Sequence, residues 1–266
     1  MKAKKVIYYH DPLNDDFAGT EIDTKPLKTD FKYVHKNVFW KFSSFLLYYL
    51  LAMPILFFYA KIRCGVRVKN KKVLRQVRRR GYFLYGNHTQ SIDAFTGHVM
   101  VARPKKGYVV ANTDALSIKG LGWLVMMLGT LPLPNTVEGM RRFLEAMEYR
   151  LKKQRRCIII YPEAHIWPYY NDIRDFSNAS FRYPVKYDAP IIAMCATYRK
   201  RRINGDHNRP RMIITLSEPF YPDKNLSTKE AMSDLRDKVY AFMKHTIKEN
   251  KSYAYIDYIY SPHVDK

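Results

Sequence analysis

The sequence predicts an α/β fold: a central mixed sheet flanked by helices, preceded by an apolar helical hairpin. Short apolar runs of strand length recur along the chain, and amphipathic helical patterns lie between them. The runs are continuous rather than alternating, which is typical of strands that helices cover on both faces. Their first residues are Tyr82, Tyr108, Cys157, Ile191 and Met212.

Two helices are predicted from the residue pattern between and after these runs. Apolar residues recur at helical spacing over residues 140–151, with arginines on the other faces. Ser227 and Glu230 form a capping-box pattern just before a second apolar face, which predicts that a helix starts there. Together these elements predict one α/β domain over residues 65–250.

The segment before this domain is the most apolar part of the chain. Residues 42–60 contain no charge, and 16 of these 19 residues are apolar. A membrane-spanning helix needs about 20 such residues, and Pro54 interrupts a continuous one. We therefore expect residues 37–64 to form a membrane-binding helical hairpin that enters one leaflet and returns. A buried core helix is the alternative.

Positive charge is concentrated directly after the apolar segment. The 266-residue chain has 46 Lys and Arg against 24 Asp and Glu, a net charge of +22, and ten of the basic residues fall between Lys61 and Arg80. Such a stretch gains about 1 kcal/mol per Lys or Arg near an anionic leaflet. A nucleic-acid-binding stripe is the alternative, but it does not explain why the cluster adjoins the apolar segment. We expect an anionic membrane surface as partner, no nucleic acid, and a peripheral or monotopic location on the cytoplasmic face of the cell membrane.

Several kinds of site lack support in the sequence. The three cysteines are widely spaced and form no C-x-x-C pair, so neither a disulfide framework nor a zinc site is predicted. No phosphate loop, dinucleotide motif or nucleophile elbow follows any predicted strand. We therefore expect no metal and no bound cofactor. The ends of the chain are a polar N-terminal arm (1–36) and a tyrosine-rich tail (251–266).

A histidine and an aspartate stand out directly after the first predicted strand. One helical turn brings the carboxylate of Asp93 towards the imidazole of His88, as in a general base and the group that orients it. The same H-x4-D spacing occurs at His10 and Asp15, so the spacing alone is not specific. His88 differs from His10 because it has a strand before it, a helix after it and Asn87 beside it. A helix-capping Asp93 next to an ordinary histidine is the alternative.

This constellation resembles the first sequence block of the glycerolipid (lysophosphatidic acid) acyltransferase family. Further blocks follow in the family's order: the stretch from Gly120 to Thr130 resembles the second, Tyr161-Pro162-Glu163-Ala164 resembles the third, and Ala189-Pro190-Ile191-Ile192 resembles the fourth. The resemblance covers about residues 65–220. The apolar N-terminal segment is similar to the membrane-docking module of bacterial members.

The resemblance implies transfer of a fatty acyl group from acyl-CoA or acyl-carrier protein, as co-substrate, to the hydroxyl of a lysophospholipid or a related acceptor. It implies that His88 deprotonates the acceptor, that Asp93 orients His88, and that backbone N–H groups near the third block bind the oxyanion. The implied substrate-binding residues are Asn87, Glu163, Ala164 and His165. A buried Glu163 paired with a nearby base is the alternative for that residue. A catalytically silent, lipid-binding relative is the alternative for the whole chain.

The sequence departs from the family where arginines normally bind the acceptor's phosphate. Pro134 stands at the arginine position of the second block and Ile166 at that of the third. Neither side chain can pair with a phosphate. Four nearby arginines are candidates to replace them: Arg141, Arg142, Arg174 and Arg182. Without such a replacement, the acceptor is expected to lack a terminal phosphate.

Overall fold

The computed structural model describes residues 5–19, 26–113, 116, 122–201 and 209–262. The strands within these residues are β1 (Lys5–Tyr9), β2 (Arg67–Lys69), β3 (Tyr82–Gly86), β4 (Gly107–Ala111), β5 (Thr130–Pro132), β6 (Cys157–Ile160), β7 (Ile191–Arg199), β8 (Arg211–Leu216) and β9 (Ile256–Tyr260). The helices are α1 (Val38–Arg63), α2 (Asp93–Thr96), α3 (Gly122–Met127), α4 (Val137–Glu148), α5 (Arg182–Tyr187) and α6 (Thr228–Asn250). Wider helical turns extend α2 over Gly97–Ala102 and α4 over Tyr149–Lys153.

The main sheet of the described residues has seven strands in the order β2-β8-β7-β3-β6-β4-β5. Neighbouring strands are parallel except β7 and β8, which run antiparallel, so the predicted mixed sheet is confirmed. All five apolar runs form strands. The edge strands β2 and β5 have only three residues each, too few to give a sequence signal. β3 lies between parallel β6 and β7, which brings the carboxyl ends of three adjacent strands to one edge.

Helices cover both faces of the sheet, as the continuous apolar runs predicted. Successive residues of β3 point to opposite faces. Phe83 is fully buried in a cluster that includes Phe143 of α4 and Leu235 of α6. Leu84 is fully buried in a second cluster that includes Met53 of α1.

The helix signals predicted the positions of α4 and α6. In α6 the hydroxyl of Ser227 accepts the N–H of Glu230 at 3.4 Å, and the carboxylate of Glu230 accepts the N–H of Ser227 at 2.9 Å. In α4, Phe143 and Met147 are buried while Arg141 is exposed. The capping box and the apolar face therefore both form as predicted.

The apolar N-terminal segment is helical, but the prediction of a hairpin is wrong: α1 is one continuous helix over Val38–Arg63. Over Leu46–Ala52 the turns widen, and the N–H of Met53 bonds to the carbonyl of Tyr48 five residues back. A proline lacks an N–H, and its ring clashes with the carbonyl four residues before it in a regular helix. The widened turn before Pro54 relieves both problems, so the helix continues through it.

One side of α1 packs on the α/β domain and the rest of its surface is exposed. Tyr48, Met53 and Ala60 are buried in the cluster beneath the sheet. Exposed apolar side chains cover the remaining surface: Phe39, Phe42, Phe45, Leu50, Ile55, Phe58 and Ile62. By length and composition alone α1 is apolar enough to cross a membrane, and only 17% of its most apolar 18-residue window is buried in the protein.

The N-terminal arm and the C-terminal tail join in a separate small sheet. β1 of the arm pairs in parallel with β9 of the tail. Trp167 packs against both strands, with ring centroids 4.8 Å from Tyr9 and 5.0 Å from Tyr258. Its indole N–H donates to the carbonyl of Asp15 at 2.7 Å. The described part of the arm is therefore docked across the segment that follows β6.

Candidate active site

His88 and Asp93 lie together at the carboxyl end of β3. The Nδ1 atom of His88 is 3.4 Å from Oδ2 of Asp93, which also accepts the N–H groups of Thr89 at 2.7 Å and Gln90 at 2.8 Å. The Asp93 side chain is 3% exposed and that of His88 14% exposed. A carboxylate at Nδ1 keeps the imidazole proton there, which leaves Nε2 able to accept a proton. Asp93 also holds the loop that carries His88. The same arrangement therefore fits an aspartate that orients His88 and an aspartate that caps the start of the helix.

Tyr161 contacts both residues of this pair, although sequence reasoning assigns it no role beyond its place in the third block. It follows β6, and its ring stacks on that of His88 with centroids 4.5 Å apart and planes 20° apart. Its hydroxyl donates to the backbone carbonyl of Asp93 at 2.5 Å. Burial raises the pKa of Tyr161 well above 10, so the hydroxyl stays a donor. Related sequences have Phe at this position, so the replacement of Phe by Tyr was the one sign in the sequence that this residue has a contact of its own.

Glu163 forms a buried ion pair with Arg174, as the alternative interpretation of this residue held. Oε2 of Glu163 lies 3.4 Å from Nη2 of Arg174, and both side chains are at most 2% exposed. The same oxygen accepts the N–H of His88 at 3.2 Å. Burial raises the pKa of Glu163 to about 7, although Arg174 opposes that shift. The pair therefore fixes the backbone of His88 from the neighbouring strand end.

Asn87 has a structural contact where the resemblance implied a substrate contact. Its Nδ2 donates to the carbonyl of Ala196 at 3.0 Å, and its Oδ1 accepts the N–H of Ala196 at 2.7 Å. The residue is 2% exposed. The amide thus joins the end of β3 to β7, and its hydrogen-bonding groups face the sheet rather than a substrate.

The backbone N–H groups of the turn after Glu163 bond within the turn itself. Ala164 has φ +64°, a left-handed conformation in which related sequences have glycine. Its N–H bonds to the carbonyl of Tyr161, and the N–H of His165 bonds to that of Glu163. These two N–H groups are therefore occupied within the turn, contrary to the expectation that N–H groups here bind an oxyanion.

An acidic side chain of the arm lies at the position where related sequences have arginine. The carboxylate of Asp16 accepts the N–H of Ile166 at 3.2 Å and lies 3.5 Å from Nδ1 of His165. The N–H of Phe17 donates to the carbonyl of Ile166 at 3.0 Å. Sequence analysis missed Asp16, because 150 residues separate it from Ile166 and nothing local marks it.

Two arginines named as replacements for the phosphate clamp are engaged elsewhere. Arg174 is buried on Glu163, and its guanidinium also donates to the carbonyl of His165. Arg142 pairs with Glu138 at 3.0 Å on the surface of α4. Arg182 borders the cavity described next, and its guanidinium lies 5.0 Å from the ring of Tyr183.

A cavity of about 670 Å³ opens beside His88 and continues into the domain. His88 and Tyr161 border it, as do Asp16, Ala164 and Arg182. Most of its other walls are apolar side chains of α2, α3, β4 and β6 and of the residues directly after α3 and β5: Ala94, Phe95, Val109, Val110, Val125, Leu128, Leu133 and Ile160. A cavity of this form has room for a long apolar group whose reactive end lies at the imidazole.

Gly129 of the second block lies between Leu128 and Thr130, which both border this cavity. Gly129 has φ +102°, and a Cβ there would lie 2.5 Å from the carbonyl oxygen of Gly107, so only glycine fits. Gly120 falls outside the described residues. Within the described residues no group of three or more His, Cys, Asp or Glu side chains is placed to hold a metal ion.

The sequence model of the Acyltransferase family matches residues 65–197, which is half of the chain. The chain belongs to the Acyltransferase family. It is therefore an acyltransferase enzyme. Membership of this family favours acyl transfer over the nucleic-acid-binding alternative.

A solved relative shares the fold of this acyltransferase. The crystal structure of the 1-acyl-sn-glycerophosphate (LPA) acyltransferase PlsC from Thermotoga maritima superposes with a TM-score of 0.56 at 19% sequence identity. The match covers 81% of this chain and 88% of that one. No curated protein sequence matches the chain.

Some residues of the site lie within the range that matches the family model, and others lie outside it. His88, Asp93, Glu163 and Arg174 all lie within residues 65–197. Asp16 lies outside this range, as do α1 and the paired strands β1 and β9. The contact of the arm with the third block is thus an addition to the family domain.

Proposed function

We propose that this enzyme transfers a fatty acyl group from an acyl thioester, acyl-CoA or acyl-carrier protein, to the hydroxyl of a lysolipid at a membrane surface. The observation that carries the proposal is the cavity itself. It joins an oriented imidazole, His88 on Asp93, to a long apolar interior in a chain of the Acyltransferase family.

The geometry supports a direct transfer. Nε2 of His88 removes the proton of the acceptor hydroxyl while that oxygen attacks the thioester carbonyl. The carbon–oxygen bond forms, the carbon–sulfur bond breaks, and the thiolate leaves with the proton from the imidazolium. Asp93 stabilises the imidazolium, while Tyr161 stacks on the ring of His88 and bonds to the backbone carbonyl of Asp93. No acyl-enzyme is needed in this scheme.

The membrane surface is supported by two adjacent features. α1 exposes a row of large apolar side chains, and nine of the ten Lys and Arg residues between Lys61 and Arg80 are exposed. Insertion of the apolar side chains and attraction of the adjacent basic residues to anionic headgroups then both favour binding to a membrane surface. We place the enzyme on the cytoplasmic face of the cell membrane, as a peripheral or monotopic protein.

The charges beside the cavity favour an acceptor other than lysophosphatidic acid. A phosphate monoester is a dianion that needs paired guanidinium donors in a partly dry site. Ile166 supplies none, Arg174 is used by Glu163, and the carboxylate of Asp16 repels the dianion. Among the described residues that border the cavity, Arg182 is the one that carries a guanidinium. A phosphodiester, sugar or neutral headgroup suits this balance better.

The test is acyl transfer by the full-length protein on vesicles. Hexadecanoyl-CoA and hexadecanoyl–acyl-carrier protein are offered with a panel of lysolipids, and products are read by mass. We expect a diacyl product with at least one pair of substrates, and none with His88→Ala. Absence of product with every pair would overturn the proposed function. If lysophosphatidic acid is the best acceptor, the function stands but the headgroup assignment is wrong.

A further inference from the structure

A second histidine borders the cavity, away from the reacting end. His98 lies on the extension of α2, five residues beyond Asp93, and is 1% exposed. Its Nδ1 is 3.3 Å from the hydroxyl of Tyr48 on α1, and that hydroxyl accepts the N–H of Gly107 at 3.1 Å. The acyl-transfer mechanism uses none of these groups, and a buried polar ring in a mostly apolar cavity wall calls for a physical reason.

The contacts of Tyr48 decide which nitrogen of His98 carries the proton. The phenol oxygen already accepts from Gly107, so its own proton is directed to Nδ1 of His98. Burial and the nearby charge of Lys106 lower the pKa of His98 to about 3, so the ring is neutral. A neutral ring that accepts at Nδ1 carries its proton on Nε2, which is therefore a donor.

This donor has no partner within the part of the chain that the structure describes. The Nε2 atom of His98 is buried and makes no hydrogen bond there. A buried N–H without an acceptor is costly, and an acceptor supplied by a ligand removes that cost.

The backbone around His98 is shaped to hold the ring in this position. A Cβ at Gly107 would lie 3.0 Å from its Nδ1, and a Cβ at Gly129 would lie 3.4 Å from its Cε1. Two glycines thus leave room for the imidazole between β4 and the start of β5. If the ligand were a purely apolar chain, a leucine or phenylalanine at this position would contact it without burying an unpaired N–H. A histidine here therefore favours a ligand with a polar atom near Nε2.

We propose that the acyl chain donated by this enzyme carries an oxygen substituent, a hydroxyl or keto group, that accepts a hydrogen bond from Nε2 of His98. The inference rests on the proposed function, because it assigns the cavity to the donated chain. α2 runs from Asp93 to His98 along the cavity wall, so a chain whose carbonyl lies at His88 passes His98. An unsubstituted chain fits the same walls but leaves the donor unpaired.

The experiment is a competition between acyl donors on the full-length enzyme. Hexadecanoyl-CoA is mixed in equal amounts with hexadecanoyl-CoA isomers that carry one hydroxyl at carbon 3, 10 or 16, and the products are quantified by mass. At least one isomer is expected to be used about fivefold or more in preference to the plain chain. The preferred hydroxyl position then shows how many carbons separate the reacting carbonyl from the part of the chain beside His98.

Two variants test whether His98 is responsible. His98→Leu removes the donor and should abolish the preference while transfer of the plain chain persists. His98→Gln keeps an N–H at a similar reach and should retain part of the preference. A wild-type enzyme that transfers plain hexadecanoyl with no preference for any isomer overturns the inference and leaves the proposed function intact. A preference that survives His98→Leu overturns it too.

Discussion

The ring of Tyr161 stacks on the ring of His88 with centroids 4.5 Å apart, while its hydroxyl bonds to the backbone of Asp93. One side chain from the end of β6 therefore contacts both the proposed general base, His88, and the residue that orients it, Asp93. Stacking restricts rotation of the imidazole, and the hydrogen bond fixes the first turn of α2. Tyr161 is a positioning residue in this arrangement, since its hydroxyl is used by the protein.

The contribution of this hydroxyl can be measured with Tyr161→Phe. The variant keeps the stacked ring and leaves the carbonyl of Asp93 without this donor, so we expect a loss of about 0.5–1.5 kcal/mol in the free energy of unfolding. We expect kcat to fall a few-fold with little change in KM, because the hydroxyl orients the base and contacts no substrate. Tyr161→Ala, which also loses the ring, should lose more of kcat. Unchanged kcat in both variants would show that the stack does not position His88.

Local sequence was sufficient for the His88–Asp93 pair but not for the contacts around it. The two residues are five positions apart, so the short turn between β3 and α2 is enough to bring them together. The contact of Asn87 with β7 does not follow from the local sequence, because its partner Ala196 lies 109 residues away. The hairpin prediction treated Pro54 as a break, since a widened turn that accommodates a proline leaves no mark in composition. Asp16 could not be found at all, as its position depends on pairing between the two ends of the chain.

Removal of the proposed base should affect the reaction and not the fold. His88→Ala is expected to lower kcat by about 10²–10⁴-fold, the usual contribution of general base catalysis. The thermal unfolding temperature should change little, since the His88 side chain is partly exposed. His10→Ala is the matched control, because His10 starts the same H-x4-D spacing in the arm and should leave kcat unchanged. Equal activity of His88→Ala and wild type would refute the mechanism.

Arg174 and Arg142 offer a test of which arginine is structural. Arg174→Met leaves the Glu163 carboxylate buried without its cation, and we expect the free energy of unfolding to fall by about 3–5 kcal/mol. Arg142→Met loses only a surface pair with Glu138 and should change stability by less than about 1 kcal/mol. Denaturant unfolding of the two variants measures the difference. A stable Arg174→Met enzyme with a raised KM for phosphate-bearing acceptors would instead make Arg174 a ligand-binding residue.

The same buried pair predicts a pH dependence of stability. The pKa of Glu163 is raised from 4.5 to about 7 in the folded protein, so the folded state binds the proton more tightly than the unfolded state. The free energy of unfolding should therefore decrease as pH rises from 4.5 to 7 and show no further contribution from this group above pH 7. Denaturant titrations across that range should show a smaller decrease in Glu163→Gln than in wild type. An equal decrease in both proteins would assign the dependence to other groups.

Membrane binding is expected to depend on the exposed face of α1. Phe39, Phe42 and Phe45 are 78%, 59% and 52% exposed, and their replacement by serine should weaken binding to anionic vesicles by at least about tenfold. Val137→Ser is the control, since Val137 is 91% exposed but lies on α4. Binding of the wild type should also weaken as salt rises, because the basic segment 61–80 is screened. Vesicle flotation measures both effects, and equal flotation of the triple variant and wild type would exclude α1 as the anchor.

The carboxylate of Asp16 should set the preference against phosphate monoesters. It borders the cavity at the turn where related sequences have arginine, and its side chain is 45% exposed, so its field is screened but not removed. Asp16→Asn keeps an oxygen that can accept from Ile166 and removes the charge. We expect kcat/KM for lysophosphatidic acid to rise about two- to fivefold relative to a lysolipid with a phosphodiester headgroup. Asp15→Asn is the control, because the Asp15 carboxylate bonds to the N–H groups of His10 and Asp11 and does not border the cavity. If the ratio of the two acceptors is the same in Asp16→Asn and Asp15→Asn, the arm only covers the site and does not select the headgroup.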